Sequence, residues 1–253
     1  MDCDALRDDQ WERIKDFVPG GRRGKRGPRA DNRKFLNALL WMARSGGRWR
    51  DLPERLGDYR SVKRRYYRWI EIGVLDDMLA MLAREADLEW LMIDSTIVRA
   101  HQHAAGARKV KGGPDAQGLG RSRGGLSTKV HAATEALGLP VRLIGSPGQR
   151  NDIAFAHDLI DGFEAEVTIA DKGYDADHLC EKIAETGAEI VIPPKRNRKV
   201  QRDYDAELYK ERNQIERFFN KLKQFRRVAT RYDKLLENFM GFVKLAAIAI
   251  WIR

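Results

Sequence analysis

Cysteine is almost absent: only Cys3 and Cys180 occur in 253 residues. Two thiols cannot build a disulfide framework, and no repeated short Cys/His spacing is present for a structural zinc site. Both therefore read as free thiols in a reducing compartment. No apolar run approaches the 18 or so residues that span a bilayer. Met1 to Gln10 is acidic and polar rather than signal-like, so a soluble, intracellular protein not associated with a membrane is expected. No internal repeat is visible. Acidic residues are also in short supply, 37 against 47 Lys plus Arg, leaving a formal net charge of +10 and a pI near 9.7. That balance favours a polyanionic partner, nucleic acid first, over an acidic small molecule.

From residue 8 to 88 apolar residues recur every three or four positions: Trp11, Ile14, Phe17; Phe35, Leu36, Leu39, Leu40; Val62, Tyr66, Trp69, Ile70; Leu75, Met78, Leu79, Leu82. This period predicts amphipathic helices. Trp41, Trp49, Tyr66, Tyr67 and Trp69 share it and read as core. Gly20 to Arg29, GGRRGKRGPR, has no core-forming residue and reads as a mobile basic loop.

The pattern changes at Trp90. LMID is a short apolar run ending on Asp94, and Leu126 to Ala133 and Val141 to Ile144 read as strands, separated from the first by a glycine-rich basic loop, Gly106 to Gly125. Asn151 could cap a helix to Phe163, and Val167 to Ala170 forms a strand ending on Asp171. Asp175 could cap a helix that Gly187 stops, Glu189 to Ile192 is a last strand, and helices follow over about Asp205 to Phe225 and Phe239 to Ile252. The expected order is strand, strand, strand, helix, strand, helix, strand, helix, an α/β fold behind a small all-helical region, with a boundary between residues 88 and 89.

Asp94 and Asp171 both sit at expected strand ends, where ligands bind in open α/β sheets. Either one alone is more ordinarily a turn former or helix cap. Glu216 adds to them through its row: on one helix Tyr209, Arg212, Glu216 and Lys223 fall within an arc of about 60°, beside a packed stripe of Leu208, Ile215, Phe218, Phe219 and Leu222. A solvated face with an Arg212–Glu216 ion pair would explain part of that row but not the tyrosine. Three carboxylates suit hard cations, Mg²⁺ above all, and two such ions can activate a water or a 3′-hydroxyl and stabilise the leaving oxygen of a phosphodiester. Arg212 and Lys223 could hold adjacent phosphates. Residues 191 to 231 carry 13 basic against 5 acidic side chains, so most of the excess charge lies around Glu216 and could track a DNA backbone. His101 and His103 lack a third ligand and read as DNA or outer contacts; His131, His157 and His178 read as structural.

The spacing Tyr209, Arg212, Glu216, Lys223 resembles the signature of bacterial insertion-sequence transposases of the DDE class, most closely the insertion-sequence-five family. IDSTIVRAHQHAAGARK (Ile93 to Lys109) and ADKGYDAD (Ala170 to Asp177) resemble that family's two aspartate blocks, and GDYRSVKRRYYRW (Gly57 to Trp69) its N-terminal helical region. The resemblance implies a ribonuclease H-like catalytic domain, with Asp94, Asp171 and Glu216 as catalytic metal ligands for two Mg²⁺ ions (or Mn²⁺) and Tyr209, Arg212 and Lys223 against DNA. It further implies cleavage at terminal inverted repeats, joining of the 3′ ends to target DNA, and a homodimer or larger complex. The 44 residues between Asp171 and Glu216 leave no room for a large β-rich insertion. The N-terminal helices, with Arg60, Lys63, Arg64, Arg65 and Arg68, could form a helix-turn-helix on the terminal repeats or a dimer contact. Two readings stand beside this one: a ribonuclease H-like nuclease or resolvase that never joins strands, and a non-catalytic DNA-binding descendant.

Overall fold

The computed structural model describes residues 5–19, 31–106, 114–122 and 124–253. Cys3, the basic loop Gly20 to Arg29 and most of the basic residues of the loop after residue 106 lie outside the described residues. Four helices come first: α1 (Asp8–Ile14), α2 (Asn32–Ser45), α3 (Tyr59–Glu71) and α4 (Val74–Leu82). Asp31 caps α2 by accepting from Lys34 N at 2.8 Å, and Asp58 caps α3 by accepting from Ser61 N at 3.0 Å. Gly46 ends α2 at φ 68°, in the left-handed region that glycine tolerates. The apolar period buries Phe35, Leu36 and Leu39 on α2 and Val62, Tyr66 and Trp69 on α3, as the spacing predicts.

Strands β1 (Trp90–Ala100), β2 (Gly120–Ser122), β3 (Gly125–Thr134) and β4 (Pro140–Pro147) follow. After them come α5 (Ala156–Ile160), β5 (Val167–Ala170), α6 (Asp177–Glu185) and β6 (Glu189–Val191). Helices α7 (Asn213–Lys223) and α8 (Arg226–Ala229), strand β7 (Thr230–Arg231) and helix α9 (Leu236–Trp251) complete the chain. The main sheet runs β4-β3-β1-β5-β6, antiparallel across β4, β3 and β1 and parallel across β1, β5 and β6. The short β2 continues the β4 side of β3, and β7 runs parallel to the far end of β1. This is the mixed sheet flanked by helices of the ribonuclease H-like class.

Helix α9 is buried almost all round, which identifies it as a core helix. It touches α2, α3, α4, α7, α8 and β4, so the N-terminal helices and the sheet share one apolar core. Gly241 lets this happen, because a Cβ there would stand 2.6 Å from the Tyr66 hydroxyl. That hydroxyl donates to Asn238 O at 2.7 Å. Beside it, Arg227 lies 4.5 Å over the Phe242 ring and 5.4 Å over Trp49, donates to Gly47 O at 2.9 Å and pairs with Asp233 at 3.1 Å.

Several boundaries differ from the sequence expectation. β1 does not stop at Asp94 but runs to Ala100, because β3 pairs with it as far as Arg99↔Ser127. The helix expected from Asp205 is broken: Leu208–Arg212 is a tight 3₁₀ segment, and the α-helix begins at Asn213. Asn151 leads into a 3₁₀ turn, Asp152–Phe155, before a short α5. Asp175 is not a helix cap. Its buried carboxylate accepts from Lys195 N at 2.7 Å, Arg198 Nε at 3.0 Å and Arg202 Nη2 at 2.6 Å, which fastens the segment after β6 to the end of β5.

Arg231 is fully buried, and burial lowers its guanidinium pKa to about 10. It donates to Gly118 O and Lys234 O at 3.0 Å and Asp233 O at 2.9 Å. Arg231→Met would strand those carbonyls, so urea unfolding should show a loss of about 3–5 kcal/mol, against about 0.5 kcal/mol or less for exposed Arg217→Met. Equal costs for the two would contradict the buried role.

Candidate active site

Parallel pairing places Ile93 opposite Ala170. The next residue on each strand is the carboxylate, so Asp94 and Asp171 emerge side by side where β5 ends. Asp94 is mid-strand, and the edge of β1 beyond it is unpaired by β5 until β7 meets Arg99 and Ala100. The Asp94 side chain remains partly exposed.

Asp94 Oδ1 accepts from the Ser95 amide at 2.7 Å and Oδ2 from Arg212 Nη1 at 2.8 Å. Burial pushes its carboxyl up to about 6, aided by the charges of Asp171 and Asp152 and opposed by the Ser95 amide and Arg212. Asp171 combines the ordinary role with a free oxygen: Oδ1 caps the turn Lys172–Tyr174 by accepting from Gly173 N at 2.7 Å. A Cβ on Gly173 would lie 2.8 Å from that oxygen, so a larger residue there would displace the Asp171 carboxylate.

Glu216 sits in the first turn of α7 and is about half exposed. Arg212 hydrogen-bonds to it and to Asp94 at once, joining two carboxylates 122 positions apart. Burial lowers the basicity of this guanidinium, but Asp94, Tyr209, Glu216 and Asp171 together raise it above the usual arginine value. Tyr209 and Arg212 stand on the 3₁₀ segment rather than on the α-helix. Residues i and i+3 eclipse in that geometry, and the guanidinium still lies 5.8 Å from the Tyr209 ring. Burial raises the Tyr209 phenol pKa, with Asp171 adding and Arg212 opposing. Lys223, at the far end of α7, is exposed and not in contact with the carboxylates.

The donor set is all oxygen, which fits a hard divalent cation. Among the described residues no three acidic, histidine or cysteine side chains converge on one metal position. The positive group between Asp94 and Glu216 is the Arg212 guanidinium, a stand-in for a cation. A second sign is the Tyr174 hydroxyl, buried without a hydrogen-bond partner; burial raises its pKa, and Asp152, Asp94 and Asp171 raise it further.

The local excess of positive charge is only partly available to a partner. Arg198 and Arg202 are held by Asp175 and Asp177, Arg212 by the carboxylates, and Arg227 and Arg231 are buried. Arg196, Lys199, Arg217, Lys221, Lys223 and Arg226 are exposed. Asp152 went unnoticed in the sequence, where a lone Asp after a strand carries no signal. His101 stacks on Tyr232 at 5.0 Å with His103 tilted against it at 4.6 Å, and among the described residues no metal-holding group of three includes them. Buried His131 binds Ser146 Oγ at 2.8 Å, and His157 stacks on His178 at 4.9 Å.

The chain matches the family model described as "Transposase DDE domain" over residues 86–252 and the one described as "Putative transposase of IS4/5 family" over residues 6–79. The uncharacterized protein y4sN of Sinorhizobium fredii is 87% identical over 113 residues, 45% of this chain and 90% of that protein. A protein of Brucella ovis named "Putative transposase for insertion sequence element IS6501" is 46% identical over 132 residues, 51% of this chain and 100% of that protein. Among solved structures, a piggyBac transposase synaptic complex with hairpin DNA aligns with 73% of this chain at 10% identity and a TM-score of 0.43, the match spanning 47% of that chain. A Mos1 transposase paired-end complex with left transposon end aligns with 95% of this chain and 85% of that one at 14% identity and a TM-score of 0.28. The first of these family models runs from before β1 to the end of α9, two thirds of the sequence, and the chain therefore belongs to the DDE transposases of the insertion-sequence type.

Proposed function

We propose that this transposase cleaves DNA at the terminal inverted repeats of its own insertion sequence and joins the freed 3′ ends to target DNA. The observation that carries the reading is that the Ile93↔Ala170 register sets Asp94 beside Asp171 while Arg212 bonds Asp94 and Glu216 at once. Asp94, Asp171 and Glu216 are the ligands for two Mg²⁺ ions, with Mn²⁺ as a substitute. Bound there, such a pair supplies activation of a water or 3′-hydroxyl and stabilisation of the leaving oxygen.

The protein groups then divide the work. Ser95 N–H and Gly173 N–H orient the two aspartates, each through Oδ1. Arg212 neutralises Asp94 and Glu216, and its planar fork would be free for a DNA phosphate where cations took over that charge. Tyr209 flanks that phosphate, and Lys223 with its exposed neighbours follows the backbone away from the cut. Region 1–88 is the DNA-binding part and 89–253 the catalytic part. On α3 the exposed Arg60, Arg64 and Arg68 recur every four residues and form one row facing away from the core. That row suits a phosphate backbone at the terminal repeats. Two ends must be cut and joined together, so the working assembly is a homodimer or larger.

Asp94→Ala, Asp171→Ala and Glu216→Ala should each lower Mg²⁺-dependent cleavage of terminal-repeat DNA at least about a hundredfold while leaving DNA binding in place. Retained cleavage would remove that residue from the centre, and cut but never joined products would make the enzyme a nuclease. Arg212→Ala should act with opposite signs: several-fold tighter Mn²⁺ binding by the DNA-free protein, measured by calorimetry, and weaker cleavage. Weaker Mn²⁺ binding in that variant would contradict the stand-in role. DNA affinity should fall with rising salt, and Lys223→Ala should reduce the slope of log K against log salt by about 1. A flat salt response would count against the backbone-tracking role of this surface.

A further inference from the structure

A fourth carboxylate reaches the same centre from a different part of the fold. Asp152 opens the 3₁₀ turn after β4, and its Oδ1 accepts from Ser95 Oγ at 2.6 Å and from Lys129 Nζ at 2.9 Å. His131, wholly buried on β3, brings its unpaired Nδ1 to 3.6 Å from the same oxygen. Ser95 in turn donates its amide to Asp94 Oδ1 at 2.7 Å. A continuous path thus runs from Lys129 and His131 through Asp152 and Ser95 to Asp94.

Two observations separate this arrangement from a simple loop tether. Lys129 Nζ also donates to Arg150 O at 2.8 Å, so the loop after β4 is fastened to the sheet without Asp152. The Asp152 side chain is only a third exposed, and the buried, unpartnered Tyr174 hydroxyl has its pKa raised by Asp152, Asp94 and Asp171 alike, so Asp152 stands near both aspartates. Its Oδ1 is spent on Ser95 and Lys129, which suits a supporting group better than a ligand.

We propose that Asp152 is a positioning residue for metal binding: through Ser95 it fixes the orientation in which Asp94 meets the cation. Partners behind a metal-ligating carboxylate orient it and tune its affinity, and their loss weakens metal binding about 10–100-fold. The inference rests on Asp94 being a metal ligand, as proposed above.

The test is Mn²⁺ binding by the full-length protein, read from the electron paramagnetic resonance of free Mn²⁺, with folding followed by circular dichroism. Ser95→Ala breaks the path and Asp152→Asn removes its charge; each should raise the Mn²⁺ dissociation constant about 10–100-fold with the helical signal unchanged. Ser95→Thr, which keeps the hydroxyl, should retain wild-type affinity. Wild-type affinity in Ser95→Ala and Asp152→Asn would overturn the proposal and leave Asp152 a loop tether. If Asp152→Asn does not fold, Ser95→Ala decides alone. Asp94→Ala serves as the separate control: should it bind Mn²⁺ as tightly as the wild type, the ligand assignment fails rather than the path behind it.

Discussion

Strand β1 must satisfy hydrogen-bonding partners on two edges, and the placement of every proposed catalytic group follows from how it does so. On one edge β3 pairs with it over eight residues, Met92 to Arg99. On the other, β5 pairs with it only as far as Ile93, and β7 takes over at Arg99. The stretch between them is a backbone edge that no strand among the described residues covers, and Asp94 is its first residue. The Asp171 cap, which turns the chain away immediately after Ala170, keeps this opening.

Charge in this protein is spent in two different ways. Arg212 of the 3₁₀ segment, Arg227 of α8 and Arg231 of β7 lie inward. Arg227 and Arg231 carry hydrogen bonds to backbone carbonyls of distant loops, and Arg212 neutralises two carboxylates that would otherwise repel. The exposed lysines and arginines of α7 and its surroundings are the ones free to meet a polyanion. Guanidinium groups suit the inward tasks because their planar donors satisfy several acceptors at once and are weakly hydrated. This division explains why a stretch so rich in positive charge can still fold tightly against an apolar helix.

The helical region before residue 88 is packed onto α9 and α8 with aromatic side chains at the junction: Tyr66 and Phe242 at 4.5 Å, Trp49 and Phe242 at 5.9 Å. The Tyr66 hydrogen bond to Asn238 and the Arg227 bond to Gly47 cross the same junction. Any DNA held by α3 is therefore connected to the catalytic sheet through a close-packed core, whose side chains transmit displacement rather than absorb it.

Much of the architecture was legible in the amino-acid sequence because it is local. Apolar spacing gave α2, α3 and α4, short apolar runs gave the strands that carry Asp94 and Asp171, and the Tyr209, Arg212, Glu216, Lys223 row pointed to the third carboxylate. The misread boundaries all lay where distant partners decide. β1 extends because β3 pairs with it, Asp175 binds arginines some twenty residues away rather than capping a helix, and the 3₁₀ segment lets Arg212 reach Asp94. Asp152 was illegible for the same reason, since its partner Ser95 is 57 residues distant. The sequence by itself determined which side chains could do oxygen-ligand chemistry on a polyanion, since residue type and short-range periodicity are written in it. Only the tertiary structure decided which of them meet, which arginines are buried, and which edge of β1 stays open, because strand register and long-range packing are set by the whole core at once.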